Sequence, residues 1–220
     1  NGAGRMHANG CAASVMFAPR LEGEAAYGLP PGIAAPTFPV APYAGCPASW
    51  QHKDAFFVPI PRDADGKGPG MWYDWRASDT SKHDIAVVPS PTGLHPITGE
   101  RTDALRLERY EDACPVHKKD FEPGRVCKDC SFAWPPQNYV AAPNYLWWDG
   151  FRRPDGKVRR FFFTADTLRD VGIAKLGKNR VPAFGFAFFK TKAEKPAPNV
   201  VFSGGWGGQS IGGFKGAGQS

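Results

Sequence analysis

Proline and glycine are the residues that most restrict how this chain can fold. The 220 residues include 22 prolines and 26 glycines, which together exceed a fifth of the chain. Proline fixes φ and has no backbone N–H, so it is excluded from helix interiors and from central strands, while glycine favours turns. The sequence therefore predicts many turns and short strands, and it argues against long helices.

The remaining composition is that of a folded protein. Hydrophobic residues make up 42% of the chain and aromatic residues 13%, which is enough for a packed core. The length suits one domain of ordinary size, or a domain with appendages. No run of 18 apolar residues occurs, so no membrane-spanning helix is predicted.

The first 50 residues have a composition of their own. Prolines are dense in this region, and its charged residues are Arg5, Arg20, Glu22 and Glu24. Because prolines exclude a central strand, we expect residues 1–50 to form an extended apolar arm that lies on the domain or on a neighbouring subunit. Phe38 and Tyr43 are its candidate interface anchors.

The last residues, 196–220, form a second predicted arm. Isolated bulky side chains alternate with glycines in FSGGWGGQSIGGFKGAGQS. Glycine lets a backbone approach another surface closely, and a lone bulky residue can then fill a pocket there. The candidate interface anchors in this tail are Trp206, Ile211 and Phe214.

Residues 51–195 are predicted to be a single β-rich domain. Candidate strands occur in DAFFVPI, MWYDW and HDIAVVPS, each bounded by turn residues. The Pro-Asp-Gly turn between NYLWWDGFRR and KVRRFFFT indicates a β-hairpin, followed by a short helix from Thr164 to Gly177 and a last strand in RVPAFGFAFFK. The predicted fold class is α+β and β-rich, with a small antiparallel sheet, one or two short helices, a zinc-knuckle loop insert and extended N- and C-terminal arms.

Three of the five cysteines lie in a short loop, which we place at residues 111–134. The spacing is Cys114-x2-His117, then nine residues, then Cys127-x2-Cys130. Zn²⁺ is bound tetrahedrally by thiolates and imidazoles, and a C-x2-C turn directs two sulfurs into one site. The loop resembles zinc ribbons and related knuckle sites in ligand type and pairing. Cys114, His117, Cys127 and Cys130 are therefore the predicted ligands of one Zn²⁺ ion.

Other interpretations of these cysteines stay open from the sequence. Cys127 and Cys130 could form a disulfide in an exported protein, a redox C-x-x-C pair, or free structural thiols. The redox motif needs a helix N-terminus, whereas prolines and aromatic residues follow Cys130. Cys11 and Cys46 could bond each other, lie buried or remain free.

The predicted zinc site is structural. A catalytic zinc keeps an open position for water, whereas four local protein ligands fill a tetrahedral shell. No known catalytic metal or nucleophile motif occurs in the sequence. A Cys/His site favours a reducing compartment such as the cytoplasm, or an assembled particle.

Positive charge is concentrated towards the C-terminal end of the predicted domain. Residues 151–195 contain 12 Lys/Arg and 4 Asp/Glu, while the rest of the chain contains 15 and 17. Such a region could face a polyanion, or it could be a solvated surface. The candidate polyanion-binding residues are Arg152, Arg153, Arg159 and Arg160.

These features favour a structural or interaction subunit of a larger assembly, such as a virion, a filament or a multiprotein particle. Its partners would be other protein subunits, including copies of itself. One alternative is a zinc-containing nucleic-acid-binding protein that uses the basic region 151–195. A second alternative is an enzyme on an unfamiliar scaffold, for which the sequence offers no acid–base pair or nucleophile.

Overall fold

Strands dominate the architecture. A computed structural model describes residues 4–8, 10–21, 28–51, 54–99, 101, 105–165, 171–177, 183–192 and 194–195. The strands are β1 (Met6–Ala8), β2 (Cys11–Ala18), β3 (Ile33–Ala34), β4 (Phe38–Pro39), β5 (Phe56–Phe57), β6 (Gly70–Asp74), β7 (Ile85–Pro91), β8 (Val126–Cys127), β9 (Phe132–Ala133), β10 (Val140–Ala142), β11 (Trp147–Trp148), β12 (Gly150–Arg152), β13 (Val158–Phe162) and β14 (Phe184–Lys190). The prediction of a β-rich chain with small antiparallel sheets is confirmed.

The larger sheet contains seven strands of the described residues in the order β1-β2-β6-β13-β12, with β3 paired to β2 and β11 paired to β6. All of its pairings are antiparallel. Strands β2 and β6 are in register from Ser14 opposite Asp74 to Ala18 opposite Gly70. This pairing places β2 inside the sheet, because β1 and β3 pair with it as well.

The position of β2 differs from what the sequence predicted. Residues 1–50 were expected to form an extended arm without a central strand, yet Cys11–Ala18 is buried along nearly its whole length within the sheet. The prolines of this region begin at Pro19, so none of them interrupts the strand. The lack of charge in β2 fits its burial within the sheet.

A second, three-stranded sheet has the order β10-β7-β14. Strand β7 pairs with β14 over seven residues, from Phe184 opposite Pro91 to Lys190 opposite Ile85. On its other side it pairs with β10. Two short ribbons, β4-β5 and β8-β9, complete the strand pairings of the described residues.

Tyr73 joins the two sheets. It is fully buried on β6, and its ring centroid lies 5.5 Å from that of Phe161 on β13. Its centroid also lies 6.2 Å from Phe184 and 4.6 Å from Phe186, both on β14 of the second sheet. The rings meet edge-on or tilted, which is the favoured geometry for aromatic pairs. The main hydrophobic core therefore lies between the sheets, centred on aromatic side chains.

The predicted hairpin and final strand are confirmed. Strands β12 and β13 pair in antiparallel fashion across the Pro-Asp-Gly turn, in which Gly156 has a φ of 82°. A backbone hydrogen bond of 2.7 Å from Arg153 N–H to Lys157 O closes this turn. The final strand, β14, pairs with β7 instead of returning to the hairpin.

One α-helix, α1 (Val171–Leu176), and a 3-10 turn at Ala48–Trp50 are the helical elements of the described residues. The predicted C-cap is Gly177, which has a φ of 90° and donates its N–H to Ile173 O at 2.9 Å. Thr164, the predicted N-cap, has no regular secondary structure, and the helical turns predicted to follow it at residues 166–170 lie outside the described residues. Within the described part of the chain, no helix is long and apolar enough to cross a membrane.

The Tyr73 hydroxyl offers a test of this core. It is buried and forms no hydrogen bond with any described residue. We expect Tyr73→Phe to leave the free energy of unfolding unchanged or slightly raised, because removing an unsatisfied buried hydroxyl carries no penalty. Tyr73→Ala should lower the free energy of unfolding by about 3–5 kcal/mol, because it would leave a cavity between the two sheets. Urea denaturation measures both effects.

The matched control is Tyr145→Phe, since the Tyr145 side chain is 61% exposed. It should have no measurable effect. A loss of more than about 1 kcal/mol in Tyr73→Phe would contradict an unpaired hydroxyl.

Candidate metal centre

The four predicted ligands come from two turns within the loop of residues 111–134. Strands β8 and β9 form a short hairpin, with Cys127 on β8 and Cys130 in the turn that follows it. The Cys114–His117 turn is closed by a backbone hydrogen bond of 2.8 Å from Lys118 N–H to Cys114 O. Each turn therefore presents two ligands from residues three positions apart.

The ligand atoms of Cys114, His117, Cys127 and Cys130 all lie within 4.8 Å of one another. His117 Nδ1 is 3.6 Å from Cys114 Sγ and 3.4 Å from Cys127 Sγ. A tetrahedral centre with metal–sulfur and metal–nitrogen distances of about 2.3 and 2.0 Å has a sulfur–nitrogen edge of about 3.5 Å. The four side chains lie close enough to hold one metal ion.

The two turns share a backbone feature that the sequence did not reveal. The residue after the second ligand of each pair has a positive φ, 55° at Lys118 and 51° at Ser131. Glycine usually occupies such positions, because other side chains are strained there. Neither position is glycine here, so sequence reasoning had no signal for the matching turns.

Hydrogen-bond donors surround the sulfurs. The backbone N–H of His117 donates to Cys114 Sγ at 3.4 Å, and the indole N–H of Trp134 donates to Cys130 Sγ at 3.4 Å. The backbone N–H of Cys130, with further donors from its neighbours, lowers the pKa of Cys127 to about 6. These donors stabilise the thiolate, which is the form of cysteine that binds metals.

An aromatic cluster packs against one side of the centre. Cys114, Cys127 and Trp134 are buried together. The Trp134 ring centroid lies 5.5 Å from that of Tyr110 and 5.1 Å from that of Phe132. His117, by contrast, is exposed. The site is therefore shielded from solvent at Cys114 and Cys127 and faces solvent at His117.

Arg125 holds the loop together, and the sequence analysis did not single it out. Its guanidinium lies 4.7 Å from the Phe121 ring centroid and forms an ion pair of 2.6 Å with Asp112. It also donates to three backbone carbonyls, those of Tyr110 at 3.2 Å, Glu111 at 2.8 Å and Trp134 at 3.2 Å. One side chain thus joins the beginning and the end of the loop.

The end of the loop is attached to the β12-β13 hairpin. Ala133 N–H donates to Pro154 O at 2.8 Å, and Arg152 Nε donates to Ala133 O at 3.2 Å. These two bonds connect β9 to the hairpin turn. The metal centre is therefore positioned against the main domain by one backbone and one side-chain hydrogen bond.

The four arginines predicted to face a polyanion differ in burial and in contacts. Arg152 is half-buried against the loop, as just described. Arg160 donates to Gly28 O at 2.9 Å and lies 3.6 Å from Asp149. Arg153 lies 3.6 Å from Asp155, and Arg159 is exposed. Arg152 and Arg160 therefore use part of their donor capacity within the protein.

Two of the predicted interface anchors lie on one exposed surface. Tyr43 is 49% exposed and its ring centroid is 5.5 Å from that of Phe57. Phe38, 38% exposed, is the strand partner of Phe57, and Trp50 lies 6.4 Å from the same ring. We call Phe38, Tyr43, Trp50 and Phe57 the aromatic surface. Sequence reasoning missed its last two members, and Trp206, Ile211 and Phe214 lie outside the described residues.

None of the five cysteines, all of which belong to the described residues, forms a disulfide in the structure. Cys127 and Cys130 are therefore not joined by the disulfide that the sequence left open. Cys11 is fully buried in β2, and Cys46 is partly exposed.

Comparison of the chain with models of known protein families, with curated proteins and with solved structures finds no match. No relative supplies a function by similarity. The role of the metal centre has to follow from its own geometry and from the surfaces around it.

The Trp134 indole provides a test of this geometry. Trp134→Phe removes the hydrogen bond to Cys130 Sγ but keeps an aromatic ring between Tyr110 and Phe132. We expect the affinity for Zn²⁺ to fall about 10-fold, because lost hydrogen bonds to ligands weaken metal binding by 10–100-fold. Titration against a chromophoric chelator measures the affinity.

Trp147→Phe is the control, because Trp147 lies on β11 and is 43% exposed. It should bind Zn²⁺ as the wild type does. Equal affinities for all three proteins would contradict a role for the indole N–H.

Proposed function

We propose that the protein is a structural interaction subunit of a larger assembly, in which a closed zinc site keeps residues 111–134 folded and the aromatic surface binds other subunits, including copies of itself. The observation that carries this proposal is the exposure of three large aromatic side chains beside one another, Phe38, Tyr43 and Trp50. A virion, a filament or a multiprotein particle would each use such a subunit.

Zinc is the metal that the donor set favours. Three thiols and one imidazole are typical ligands of structural zinc, and hard cations such as Mg²⁺ and Ca²⁺ prefer oxygen. Four protein ligands leave no position for a substrate or a catalytic water. We infer that the ion acts on folding, because the strands of the loop are two residues long and cannot bury a core of their own.

The aromatic surface supports the interaction role. Tyr and Trp are enriched among the residues that dominate binding energy at protein interfaces, where they fill pockets on the partner. Tyr43 lies in the segment between β4 and the 3-10 turn, and Trp50 lies in that turn, where both side chains are exposed. Leaving them in water is unfavourable, and a partner surface would remove that cost.

The nucleic-acid alternative receives less support. Arg152 and Arg160 donate to the backbone carbonyls of Ala133 and Gly28, so part of their donor capacity is used inside the protein. Of the four candidate arginines, Arg159 is the one that is exposed and has no ion pair with a described residue.

The zinc proposal predicts about one Zn²⁺ per chain in protein purified with its metal retained. Cys127→Ser should release the metal and lower the thermal unfolding temperature, because no other described ligand can replace the lost thiolate. Cys46→Ser is the control, since Cys46 lies outside the ligand group, and it should retain full metal content. Elemental analysis and thermal denaturation provide the readouts.

Two outcomes would contradict the zinc proposal. One is a wild-type chain that takes up no Zn²⁺ when reduced and supplied with the ion. The other is Cys127→Ser protein that binds Zn²⁺ as tightly as the wild type.

The interaction proposal predicts that the full chain self-associates and that the double variant Tyr43→Ser/Trp50→Ser is shifted towards the monomer. Both side chains are already exposed, so their replacement should leave the fold intact. Light scattering after size-exclusion chromatography measures the mass over a range of concentrations. Trp147→Ser, another exposed tryptophan outside the aromatic surface, is the matched control.

Deletion of residues 196–220 tests the second predicted arm in the same assay. A wild-type chain that stays monomeric at all concentrations and binds no subunit of its native source would contradict the interaction role. Self-association that the double variant leaves unchanged would exclude the aromatic surface as its site.

A further inference from the structure

The larger sheet carries a cleft on the face opposite the Tyr73 core. Side chains alternate along a strand, so Ser14 and Met16 on β2 point away from the core that contains Val15. Asp74 on β6 likewise points away from the core side of Tyr73. The cleft has a volume of ≈ 540 Å³ and is lined by Arg5, Ser14, Met16, Ala34, Asp74, Arg76 and Ala77. That volume is within the range of small-molecule sites.

Arg76 is oriented at this cleft by Asp74, although its side chain is about half exposed. Its Nε and Nη2 donate to the Asp74 carboxylate at 3.0 and 2.7 Å, and its backbone N–H donates to the same carboxylate at 2.9 Å. The guanidinium carbon lies 5.4 Å from the Trp72 ring centroid. Among the described residues none accepts a hydrogen bond from its Nη1. The group is therefore oriented by Asp74 and retains donors for a ligand.

The same contacts pair the Asp74 carboxylate, which carries the negative charge of the cleft. Asp74 already accepts four hydrogen bonds from Arg76, which also neutralises its charge. Arg5, in contrast, is exposed and forms no ion pair with any described residue. The cleft thus has two guanidinium groups and one paired carboxylate, which leaves an excess of one positive charge.

Ser14 supplies a hydroxyl group at the floor. The residue is only 7% exposed and lines the cleft, and no described residue hydrogen-bonds with its side chain. The hydroxyl oxygen itself is not fully buried, so it is accessible to a ligand in the cleft. Next to it, Met16, Ala34 and Ala77 give the cleft an apolar part.

We propose that this cleft binds a small organic oxyanion, with its carboxylate or phosphate held by Arg5, Arg76 and Ser14 and its apolar body against Met16, Ala34 and Ala77. Guanidinium groups match the planar, bidentate geometry of carboxylates and phosphates. Inorganic phosphate satisfies the donors but leaves the apolar part uncovered. The site is independent of the zinc centre and of the aromatic surface.

Binding of benzoate, phenyl phosphate, inorganic phosphate and benzyl alcohol to the full, metal-loaded chain tests the proposal by isothermal titration calorimetry. We expect at least one of the two aromatic anions to bind, and to bind more tightly than inorganic phosphate or benzyl alcohol. The comparison of benzoate with phenyl phosphate identifies which oxyanion the cleft prefers. Binding of neither aromatic anion at millimolar concentration would overturn the proposal.

Two variants locate the binding. Arg5→Gln should weaken the preferred aromatic anion on the order of 10-fold, as expected for a lost charged hydrogen bond, and Ser14→Ala should weaken it roughly 3- to 10-fold. Arg109→Gln removes an exposed arginine outside the cleft and should have no effect. Because Arg5 is exposed, its replacement should keep the wild-type unfolding temperature. Unchanged affinity in the folded Arg5→Gln protein would overturn the assignment.

Discussion

The aromatic contact around Tyr73 is the interaction on which the rest of the domain depends. Strand β6 carries this residue in the middle of the larger sheet, and Phe184 and Phe186 reach it from the second sheet. Most strands are short, so their ladders supply few hydrogen bonds, and the sheets need side-chain packing to stay together. Each buried aromatic ring removes a large apolar area from water. The placement of β2 follows from this arrangement, because Val15 faces the same core from the neighbouring strand.

The loop of residues 111–134 is stabilised differently from the main core. Its strands, β8 and β9, are two residues long, and its aromatic cluster is separate from the main core. Two local features stabilise it, namely the candidate four-ligand site and the guanidinium of Arg125. The loop in turn meets the β12-β13 hairpin through Ala133 and Pro154. That contact connects the candidate metal centre to the hairpin, whose Phe161 belongs to the main core.

The features that the sequence predicted best are those that depend on residues close together in the chain. The ligand group follows from two C-x2-ligand pairs, and the β12-β13 hairpin follows from a Pro-Asp-Gly turn. Contacts between distant segments carried no such signal. The pairing of β14 with β7 joins Phe184 to Pro91, and the carbonyl acceptors of Arg152 and Arg160 come from Ala133 and Gly28. The prolines also led to a wrong prediction. Because they are dense after residue 18, the sequence analysis excluded a central strand from residues 1–50, although β2 ends just before the first proline.

The sequence analysis attributed the low charge and the aromatic anchors of residues 1–50 to an extended arm. The two different faces of the larger sheet account for these features instead. On one face, β2 contributes Val15 to the core, and on the other it contributes Ser14 and Met16 to the cleft. The segment that follows returns as β3 to pair with β2 and then forms the β4-β5 ribbon that carries the aromatic surface. Stability, the cleft and the aromatic surface therefore share one continuous stretch of chain. Removing that stretch would eliminate a strand of the sheet together with both surfaces, so truncation cannot separate their roles. Single exposed side chains, such as Arg5 in the cleft and Tyr43 on the aromatic surface, can separate them, because neither belongs to the buried core.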